Sequence, residues 1–389
     1  MDIAILGAGV GGLSTAIALK QKGFNVCVYE RGETISNLGA GIVCWPNASF
    51  VLDELGLSQD IQAVSGLPTR MQRSSDLGDS LGALDISALN QSMGYPSLSI
   101  LRKDLMSILF AHAQAEGVDI CFAHEATRIE QAQDESAHVV FSHGINIRAD
   151  LIICADGRMN SIGRQYVNGD NSPVYQGFIN WIGVYNSEKP CFDEIAVNDF
   201  WGVGKRFGIV PVSESCAYWA GALAAEDIAA LDPDAYQHEL LMHFSGWPDP
   251  IQTVIQNTPV ADIHKIYVHD HDPIDCWHKE NVLVIGDAAH APLPTSGQGA
   301  CQALEDAWHL ADLLDRSTSD LSGLLQQFTA RRQSKTSGIT MGGRQFASSL
   351  FSQDEAYCKQ RNENSAATDY AAVIQGMAKG WASGLPMSA

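Results

Sequence analysis

The hydrophobic pattern of the chain opens with a strand, a helix and a second strand. Residues 2–6 form a short apolar run typical of a buried parallel strand, and residues 25–29 form another. Between them, residues 13–22 have helical spacing and good helix formers, and Gly23 follows as a stop signal. The pattern therefore predicts a β-α-β unit at the start of the chain.

The rest of the chain shows three kinds of sequence pattern. Helices are predicted at 48–55, 102–116 and 298–314, and short or buried strands at 118–122, 137–142, 146–149, 150–154 and 281–285. Between about 173 and 272, apolar and aromatic residues alternate between turns, as in 177–185, 200–208 and 217–224, which predicts an antiparallel sheet. The final fifty residues are helical in pattern but polar.

Composition and charge narrow the class of protein. The chain has 389 residues, 46% of them apolar, with a net charge of −21, so its surface does not suit nucleic acid. No apolar run is long enough for a membrane span, and no targeting segment precedes the first strand. The nine cysteines are scattered without a C-x-x-C pair, which favours a reduced protein of the cytoplasm.

The turn after the first strand is rich in glycine and reads Gly7-Ala-Gly9-Val-Gly11-Gly12. Gly7 permits the tight turn, Gly9 lets the backbone approach a pyrophosphate, and Gly12 allows close packing of helix on strand. Glu30 ends the second strand, where a carboxylate accepts hydrogen bonds from an adenosine ribose. Strand, glycines, helix and acid occur in register, which predicts dinucleotide binding and leaves NAD or FAD open.

Two later motifs resemble those of a known family. One is Cys154-Ala-Asp156-Gly157, followed by Ser161 and Arg164, and the other runs from Gly286-Asp287 through His290 and Pro294 to Gly297-Gln-Gly299. With the first glycine turn and Arg102, they resemble the single-component FAD-dependent aromatic hydroxylases, the para-hydroxybenzoate hydroxylase-like family.

The resemblance and the pattern together predict an α/β fold (α+β overall). A Rossmann-like FAD-binding domain with a parallel sheet is interleaved with an antiparallel-sheet substrate domain, and a C-terminal helical segment follows. The predicted bounds are 1–72, 97–172 and 274–340 for the FAD domain, 73–96 and 173–273 for the substrate domain, and 341–389 for the C-terminal segment. Three roles stay open for that last segment: covering the substrate domain, forming a dimer contact or being partly mobile.

The resemblance also implies which residues hold FAD, bound tightly but not covalently. The proline of the second motif, Pro294, is expected beside the reactive edge of the flavin, and the helix after it is expected to stabilise the charge of reduced flavin. His290 is expected to pack and hydrogen-bond rather than act as a base. The implied cofactor residues are Gly7, Gly9, Gly11, Gly12, Glu30, Arg31, Val43, Arg102, Ala126, Asp156, Gly157, Asp287, Gly297, Gln298, Gly299 and Ala300.

The function that the resemblance implies is hydroxylation of a small aromatic or heteroaromatic substrate by NAD(P)H and dioxygen through a flavin 4a-hydroperoxide. With a single G-x-G-x-x-G, NAD(P)H is expected to bind transiently without a domain of its own. The choice between NADH and NADPH stays open, and so does the oligomeric state, monomer or homodimer. The alternatives are an epoxidase or antibiotic-modifying oxygenase, or a non-catalytic FAD-binding protein.

Within that family the middle region is most similar to FAD-dependent urate hydroxylases. The similarity implies a catalytic and substrate-binding arginine and tyrosine at Arg206 and Tyr218, with Pro294 as the third catalytic residue. Trp201 and Thr295 are the further substrate-binding candidates, although Trp201 and Tyr218 equally suit the core of the sheet. The urate enzymes have an aspartate where this chain has Thr295, which leaves the substrate open between urate and another ring.

One cluster suggests a metal at first sight. His269-Asp270-His271-Asp272 contains common ligand types, but on a strand its histidines and aspartates point to opposite faces. We therefore expect a solvated loop or sheet edge there and no metal.

Overall fold

The computed structural model describes residues 1–36, 39–131, 137–230, 232–316 and 320–388. The strands in chain order are β1 (Asp2–Leu6), β2 (Asn25–Tyr29), β3 (Gly41–Cys44), β4 (Arg70–Ser75), β5 (Ser80–Asp85), β6 (Leu98–Leu101), β7 (Asp119–Cys121), β8 (Ala126–Gln131), β9 (Ala137–Phe141), β10 (Asn146–Arg148), β11 (Leu151–Cys154), β12 (Val174–Asn186), β13 (Val197–Trp201), β14 (Lys205–Pro211), β15 (Cys216–Ala224), β16 (His264–Asp270), β17 (His278–Lys279) and β18 (Val282–Val284). The α-helices are α1 (Val10–Gln21), α2 (Pro46–Glu54), α3 (Ser58–Ala63), α4 (Ile86–Met93), α5 (Arg102–Ala115), α6 (Ile162–Asn168), α7 (Tyr236–His243), α8 (Ile251–Asn257), α9 (Gly299–Arg316), α10 (Leu321–Leu350), α11 (Glu355–Ala366) and α12 (Tyr370–Ala382).

A six-stranded sheet in the order β17-β18-β11-β1-β2-β7 forms the nucleotide-binding half. All of its pairs are parallel except β17 with β18. The apolar runs predicted as buried strands form its centre, and helices α1 and α9 pack on it and on each other. Because the central strands are parallel, their carboxyl ends bring Gly7, Ala155 and Gly286 to one edge of the sheet.

A seven-stranded sheet in the order β16-β12-β15-β14-β13-β4-β5 forms the second half. Its pairs are antiparallel except that of β13 with β4. One face carries Phe207 and Trp219, packed with Phe244 of the α7 region. On the other face, Val197 and Val210 join the core of the nucleotide-binding half. This second face is therefore the one turned towards the cofactor motifs.

The apolar segment at 200–208 contributes to two strands of the antiparallel sheet. Residues 200–208 are not a single strand, because β13 and β14 form a hairpin that turns between Trp201 and Lys205. Gly204 sits in this turn at φ +64, a conformation that glycine adopts without strain.

The C-terminal helices pack over the edge of the seven-stranded sheet. Leu350 of α10 shares a small core with Leu81 and Trp201, and the Tyr370 hydroxyl at the start of α12 donates to the Leu81 carbonyl at 2.9 Å. Helix α10 also runs continuously across the predicted boundary between residues 340 and 341. Of the three roles predicted for this segment, the structure shows coverage of the second sheet.

Among the residues that the structure describes, no helix combines the length and apolar character needed to span a membrane.

Candidate active site

The glycine-rich turn has one closed side and one open side. A Cβ on Gly12 would lie 1.9 Å from the Gly7 carbonyl oxygen, and a Cβ on Gly7 would lie 2.4 Å from the carbonyl oxygen of Ala155. A Cβ on Gly11 would stand 3.4 Å from the Ala303 methyl group, an ordinary contact, whereas a Cβ on Gly9 would meet nothing within 4 Å. The turn is thus packed tightly on the sheet and open beside Gly9, where a diphosphate can approach the backbone.

Glu30 joins this turn to the strand that follows. Its two carboxylate oxygens accept hydrogen bonds from the Ala8 N–H at 2.7 Å and from the Gly32 N–H at 2.9 Å. Arg31 beside it is exposed. The segment leading to Ala126 runs alongside, because the His124 N–H donates to the Glu30 carbonyl at 2.9 Å. The residues predicted for the adenosine end therefore lie together.

The Asp156-Gly157 turn follows β11 at the same sheet edge. Asp156 accepts from the Ser161 hydroxyl at 2.6 Å and from the Gly163 N–H at 3.2 Å, so its carboxylate braces the start of α6. Gly157 has φ +84 and open space where a Cβ would stand. Arg164 donates to the carbonyls of Ala288 and Ala289 at 3.3 and 3.2 Å, which connects the two later motifs.

A cluster of charges stands at this edge. Burial lowers the pKa of Arg102, and the charge of Asp287 opposes that shift. The Arg102 Nε is buried and has no hydrogen-bond partner among the described residues. Arg158 lies 3.5 Å from the Asp287 carboxylate. We did not select Arg158 from the sequence, although its place directly after the Asp156-Gly157 turn was a signal.

The turn before α9 has the predicted form. Pro294–Ser296 is a single 3₁₀ turn with an exposed proline, Gly297 follows at φ +63, and α9 begins at Gly299. Gln298 points inward, where its carbonyl oxygen accepts from the amides of Asn47 and Gln302, both at 3.0 Å. The free N–H groups of the first turn of α9, which includes Ala300, are left to serve a ligand.

Tyr218 connects the second sheet to this turn. Its ring lies flat against Gly41 of β3, where an added Cβ would stand 2.1 Å from the ring. On the other side, the Cys301 thiol in the first turn of α9 donates to the carbonyl oxygen of Val43, also in β3, at 3.6 Å. Burial raises the pKa of Tyr218 well above its usual range, with Cys44 and Cys301 adding to the shift, so the phenol is protonated at neutral pH.

Arg206 shares the Tyr218 face of the sheet and is held by a carboxylate that we did not predict. Its Nε donates to Asp199 at 2.6 Å, and the same carboxylate accepts from the Trp201 indole N–H at 2.8 Å. Trp201 is only 3% exposed, so in this structure it contacts the site through Asp199 rather than lining an open pocket. Its predicted contact with substrate stays a prediction.

Helix α10 forms a further wall. The Thr295 hydroxyl donates to the Gly343 carbonyl at 3.3 Å, and a Cβ added to Gly343 would stand at van der Waals distance from Ser296 and Leu293. Three residues along α10, Phe346 packs edge-on against Trp201 with 5.8 Å between ring centroids. One helix thus touches both the predicted flavin-side turn and the Arg206 face of the sheet.

A sequence profile of the FAD-binding domain family matches residues 1–341. The chain belongs to this FAD-binding domain family.

Several proteins resemble the chain along nearly its whole length. Aurachin C monooxygenase/isomerase from Stigmatella aurantiaca is 31% identical over 347 residues, 88% of each protein. FAD-dependent urate hydroxylase from Mycolicibacterium vanbaalenii is 30% identical over 373 residues, which cover 94% of this chain and 93% of that relative. The crystal structure of Klebsiella pneumoniae HpxO complexed with FAD and uric acid has a TM-score of 0.90 at 28% identity, covering 99% of this chain and 97% of that one.

These similarities confirm the predicted fold class, the predicted FAD-binding domain and the predicted FAD-dependent monooxygenase of the aromatic hydroxylase type. The roles assigned to single residues stay predictions, and so do the domain boundaries.

The FAD-binding domain also contains a buried ionic cluster that sequence reasoning missed. Arg332 of α10 binds Glu305 at 2.5 Å and Asp306 at 2.7 Å, and all three side chains are fully buried. Lys335 binds Glu305 at 2.9 Å, and His290 binds Asp306 at 2.7 Å. Helical spacing along α10 was a signal for Arg332 and Lys335, but their partners on α9 were not predictable from it.

This cluster reaches the flavin-side turn through one amide. The Asn47 side chain donates to Glu305 at 2.7 Å and to Gln298 at 3.0 Å. His290 is buried and hydrogen-bonded within the cluster, which agrees with its predicted packing role.

The expectation of a solvated segment at 269–272 is partly wrong. The segment consists of the last two residues of the edge strand β16 and the two residues after it, but Asp270 and His271 are buried. Arg344 of α10 binds both carboxylate oxygens of Asp270 at 2.7 and 2.8 Å, and binds Asp272 at 2.7 Å. Among the described residues no cluster of histidine, cysteine and carboxylate side chains is arranged to hold a metal ion.

Replacing Gly41 with alanine is expected to displace Tyr218, because the new methyl group would overlap its ring. We expect KM for the ring substrate to rise at least about tenfold, with a loss of stability of about 1–3 kcal/mol from overpacking. Steady-state kinetics and urea unfolding of the FAD-loaded protein measure both effects.

The matched test combines this change with Tyr218→Ala. Because the smaller residue removes the overlap, Gly41→Ala should then have little further effect on stability. An equal loss in both backgrounds would show that the ring is not what Gly41 accommodates.

Proposed function

We propose that this protein is an NAD(P)H-consuming FAD monooxygenase that hydroxylates a small aromatic or heteroaromatic ring, with purine-like rings such as urate as the first candidates. The observation that carries the proposal is the position of Tyr218, which stands on the Arg206 face of the second sheet and contacts β3 beside the first turn of α9. A ring bound between Arg206 and Tyr218 therefore lies next to the predicted flavin site.

The residues fit FAD along its whole length. The glycine turn is open beside Gly9, the Glu30 carboxylate lies near the adenosine end, and the buried Arg102 guanidinium has an Nε without a partner among the described residues. The N-terminus of α9 offers N–H groups and a positive dipole to the pyrimidine part of the flavin ring. When bound, FAD would accept the two electrons of NAD(P)H and use them to activate dioxygen.

The chain's own side chains bind and orient the ring. Arg206 pairs in register with Ala222, four residues along β15 from Tyr218, so the two side chains start roughly 13 Å apart along the strand. That gap suits a one- or two-ring molecule. The Arg206 guanidinium donates to ring oxygens, and the protonated Tyr218 hydroxyl donates a hydrogen bond rather than acting as a base. Helix α10 and the Pro294–Ser296 turn exclude water from one side.

The finer assignments belong to the same proposal. NAD(P)H is a transient cosubstrate, and all nine cysteines are free thiols, which supports a reducing compartment such as the cytoplasm. Similarity to urate hydroxylases supports urate, and Thr295 in place of an aspartate favours testing other rings beside it.

The test is a screen of urate, other purines, hydroxybenzoates and hydroxypyridines with purified FAD-loaded protein. We expect one ring class to stimulate oxidation of NADH or NADPH and to yield a product heavier by one oxygen atom. An epoxide product would favour the epoxidase alternative. A preparation that binds no FAD, or a bound flavin that neither nicotinamide reduces, would contradict the proposal.

A further inference from the structure

The Asp199 carboxylate lies at the centre of the Arg206 face and is not explained by folding alone. It is 2% exposed, and its two oxygens accept from different donors, the Arg206 Nε at 2.6 Å and the Trp201 indole N–H at 2.8 Å. Burying a carboxylate is costly unless it is paired and hydrogen-bonded. The pairing therefore fixes one specific geometry of Arg206.

The geometry leaves the substrate-binding end of Arg206 free. Asp199 occupies Nε, on the edge of the guanidinium, while neither Nη1 nor Nη2 makes a hydrogen bond to any residue that the structure describes. These two terminal nitrogens form a planar fork that matches two acceptor atoms side by side. The side chain is 24% exposed, so the fork is accessible.

The Trp201 ring is in turn held in place by the side chains around it. The guanidinium groups of Arg73 and Arg361 lie 5.0 and 5.4 Å from its ring centroid, and the Phe346 ring packs against it at 5.8 Å. An indole constrained in this way keeps its N–H directed at Asp199. The carboxylate therefore has a fixed support on one side and the substrate-facing arginine on the other.

We propose that Asp199 is a positioning residue that sets the Arg206 fork, and that the substrate is a planar ring with two neighbouring acceptor atoms on one edge. A lactam edge or a carboxylate on the ring has this pattern. Because Asp199 balances the charge of Arg206, the ring is neutral or singly charged. This inference rests on the proposed function, in which Arg206 binds the ring.

The experiment compares two buried aspartates of the same sheet. Asp199→Asn keeps the size but cannot accept from both donors. Asp270→Asn makes the same change at the end of the edge strand β16, where the partners are Arg344 and Gln176 rather than Arg206. The probe is the compound that gives turnover in the screen above, with urate titrated first. Binding is followed by the change in flavin absorbance, and KM and kcat are measured separately.

We expect Asp199→Asn to raise Kd and KM roughly 10- to 100-fold, which is the range for a lost charge-assisted hydrogen bond, with a smaller change in kcat. We expect Asp270→Asn to lower thermal stability by a similar amount to Asp199→Asn while changing Kd less than about twofold. Equal effects of the two variants on Kd would overturn the inference, because the loss would then reflect folding alone.

A double-mutant cycle with Arg206→Met keeps the test independent of stability. If Asp199 acts through Arg206, Asp199→Asn should weaken binding less than about twofold when Arg206 is already methionine. Full additivity would overturn the inference. An unchanged Kd in Arg206→Met itself, or no turnover with any ring, would instead contradict the proposed function, and the positioning role would fail with it.

Discussion

Replacing Arg332 with methionine is expected to lower the free energy of unfolding by about 3–5 kcal/mol, the usual cost of breaking a buried ion pair from one side. Arg332 binds Glu305 at 2.5 Å and Asp306 at 2.7 Å, and its remaining nitrogen donates to the Gln302 side chain at 2.8 Å. Methionine fills a similar volume but leaves two buried carboxylates with less compensating charge. Urea unfolding of the FAD-loaded protein measures the loss.

The neighbouring Arg331 provides the matched control. It binds Asp312 at 2.7 Å, but its side chain is about one-third exposed, so solvent screens the pair. Arg331→Met should therefore change stability by no more than about 1 kcal/mol. A similar small effect for Arg332→Met would show that the buried cluster does not hold α10 to α9.

The loss of stability caused by Arg332→Met should also depend on pH in a defined direction. Burial by itself would raise the pKa of Asp306, but the charges of His290 and Arg332 outweigh burial and hold the pKa well below its usual range. At Glu305 burial likewise acts to raise the pKa, but the charges of Arg332 and Lys335 outweigh it and lower the pKa. In the wild type, the stability from these carboxylates is present above their unfolded pKa of about 4 and is lost as the pH falls through the folded values.

Without Arg332 the carboxyl pKa values should rise, so the folded state should tolerate protonation better. We therefore expect the difference between the variant and the wild type to shrink as the pH falls from about 7 towards 5. A difference that does not change with pH would point to lost packing rather than lost charge.

Replacing Gly12 with alanine is expected to abolish FAD binding. The methyl group would stand 1.9 Å from the Gly7 carbonyl oxygen. That oxygen belongs to the backbone and the methyl carbon is bonded directly to Cα, so neither can rotate away. Helix α1 must then move off the strand that precedes it, and the turn that receives the diphosphate changes shape. The flavin absorbance per mole of purified protein measures the outcome.

Gly376→Ala in α12 is the control, because a methyl group there meets nothing within 4 Å and alanine favours a helix. It should retain a full complement of FAD. A Gly12→Ala protein that also retains full FAD would contradict the proposed path of the cofactor along this turn.

Local sequence was enough to predict the nucleotide-binding half. The spacing of Gly7, Gly9 and Gly12 between two apolar runs specifies a strand, turn and helix, because each part depends on residues close together in the chain. The structure places the carboxyl ends of β1 and β11 side by side, so the later Asp156-Gly157 turn meets the first one. The glycine turn alone left the choice between NAD and FAD open, and the resemblance of the later motifs to a known family indicated FAD.

The hairpin and the long α10 show where local pattern stops being sufficient. Gly202 and Gly204 indicate a turn within 200–208, but the local pattern does not give the register in which β13 and β14 pair on either side of it. The polar pattern of the last part of the chain did not reveal that the buried Arg332 and the half-buried Arg344 of α10 bind carboxylates on other elements.

The sequence by itself determined the fold class and the residue types at the cofactor motifs through short-range spacing, and the resemblance of those motifs gave the family. Only the tertiary structure decided that Asp199 holds Arg206, that Gly41 accommodates Tyr218, and that α10 joins the flavin-side turn to the second sheet. Asp199 and Arg206 are only seven residues apart, but they meet because β13 and β14 pair as a hairpin, and the other contacts join residues far apart in the chain. In each case the partners depend on how strands and helices pack rather than on periodicity within any one element.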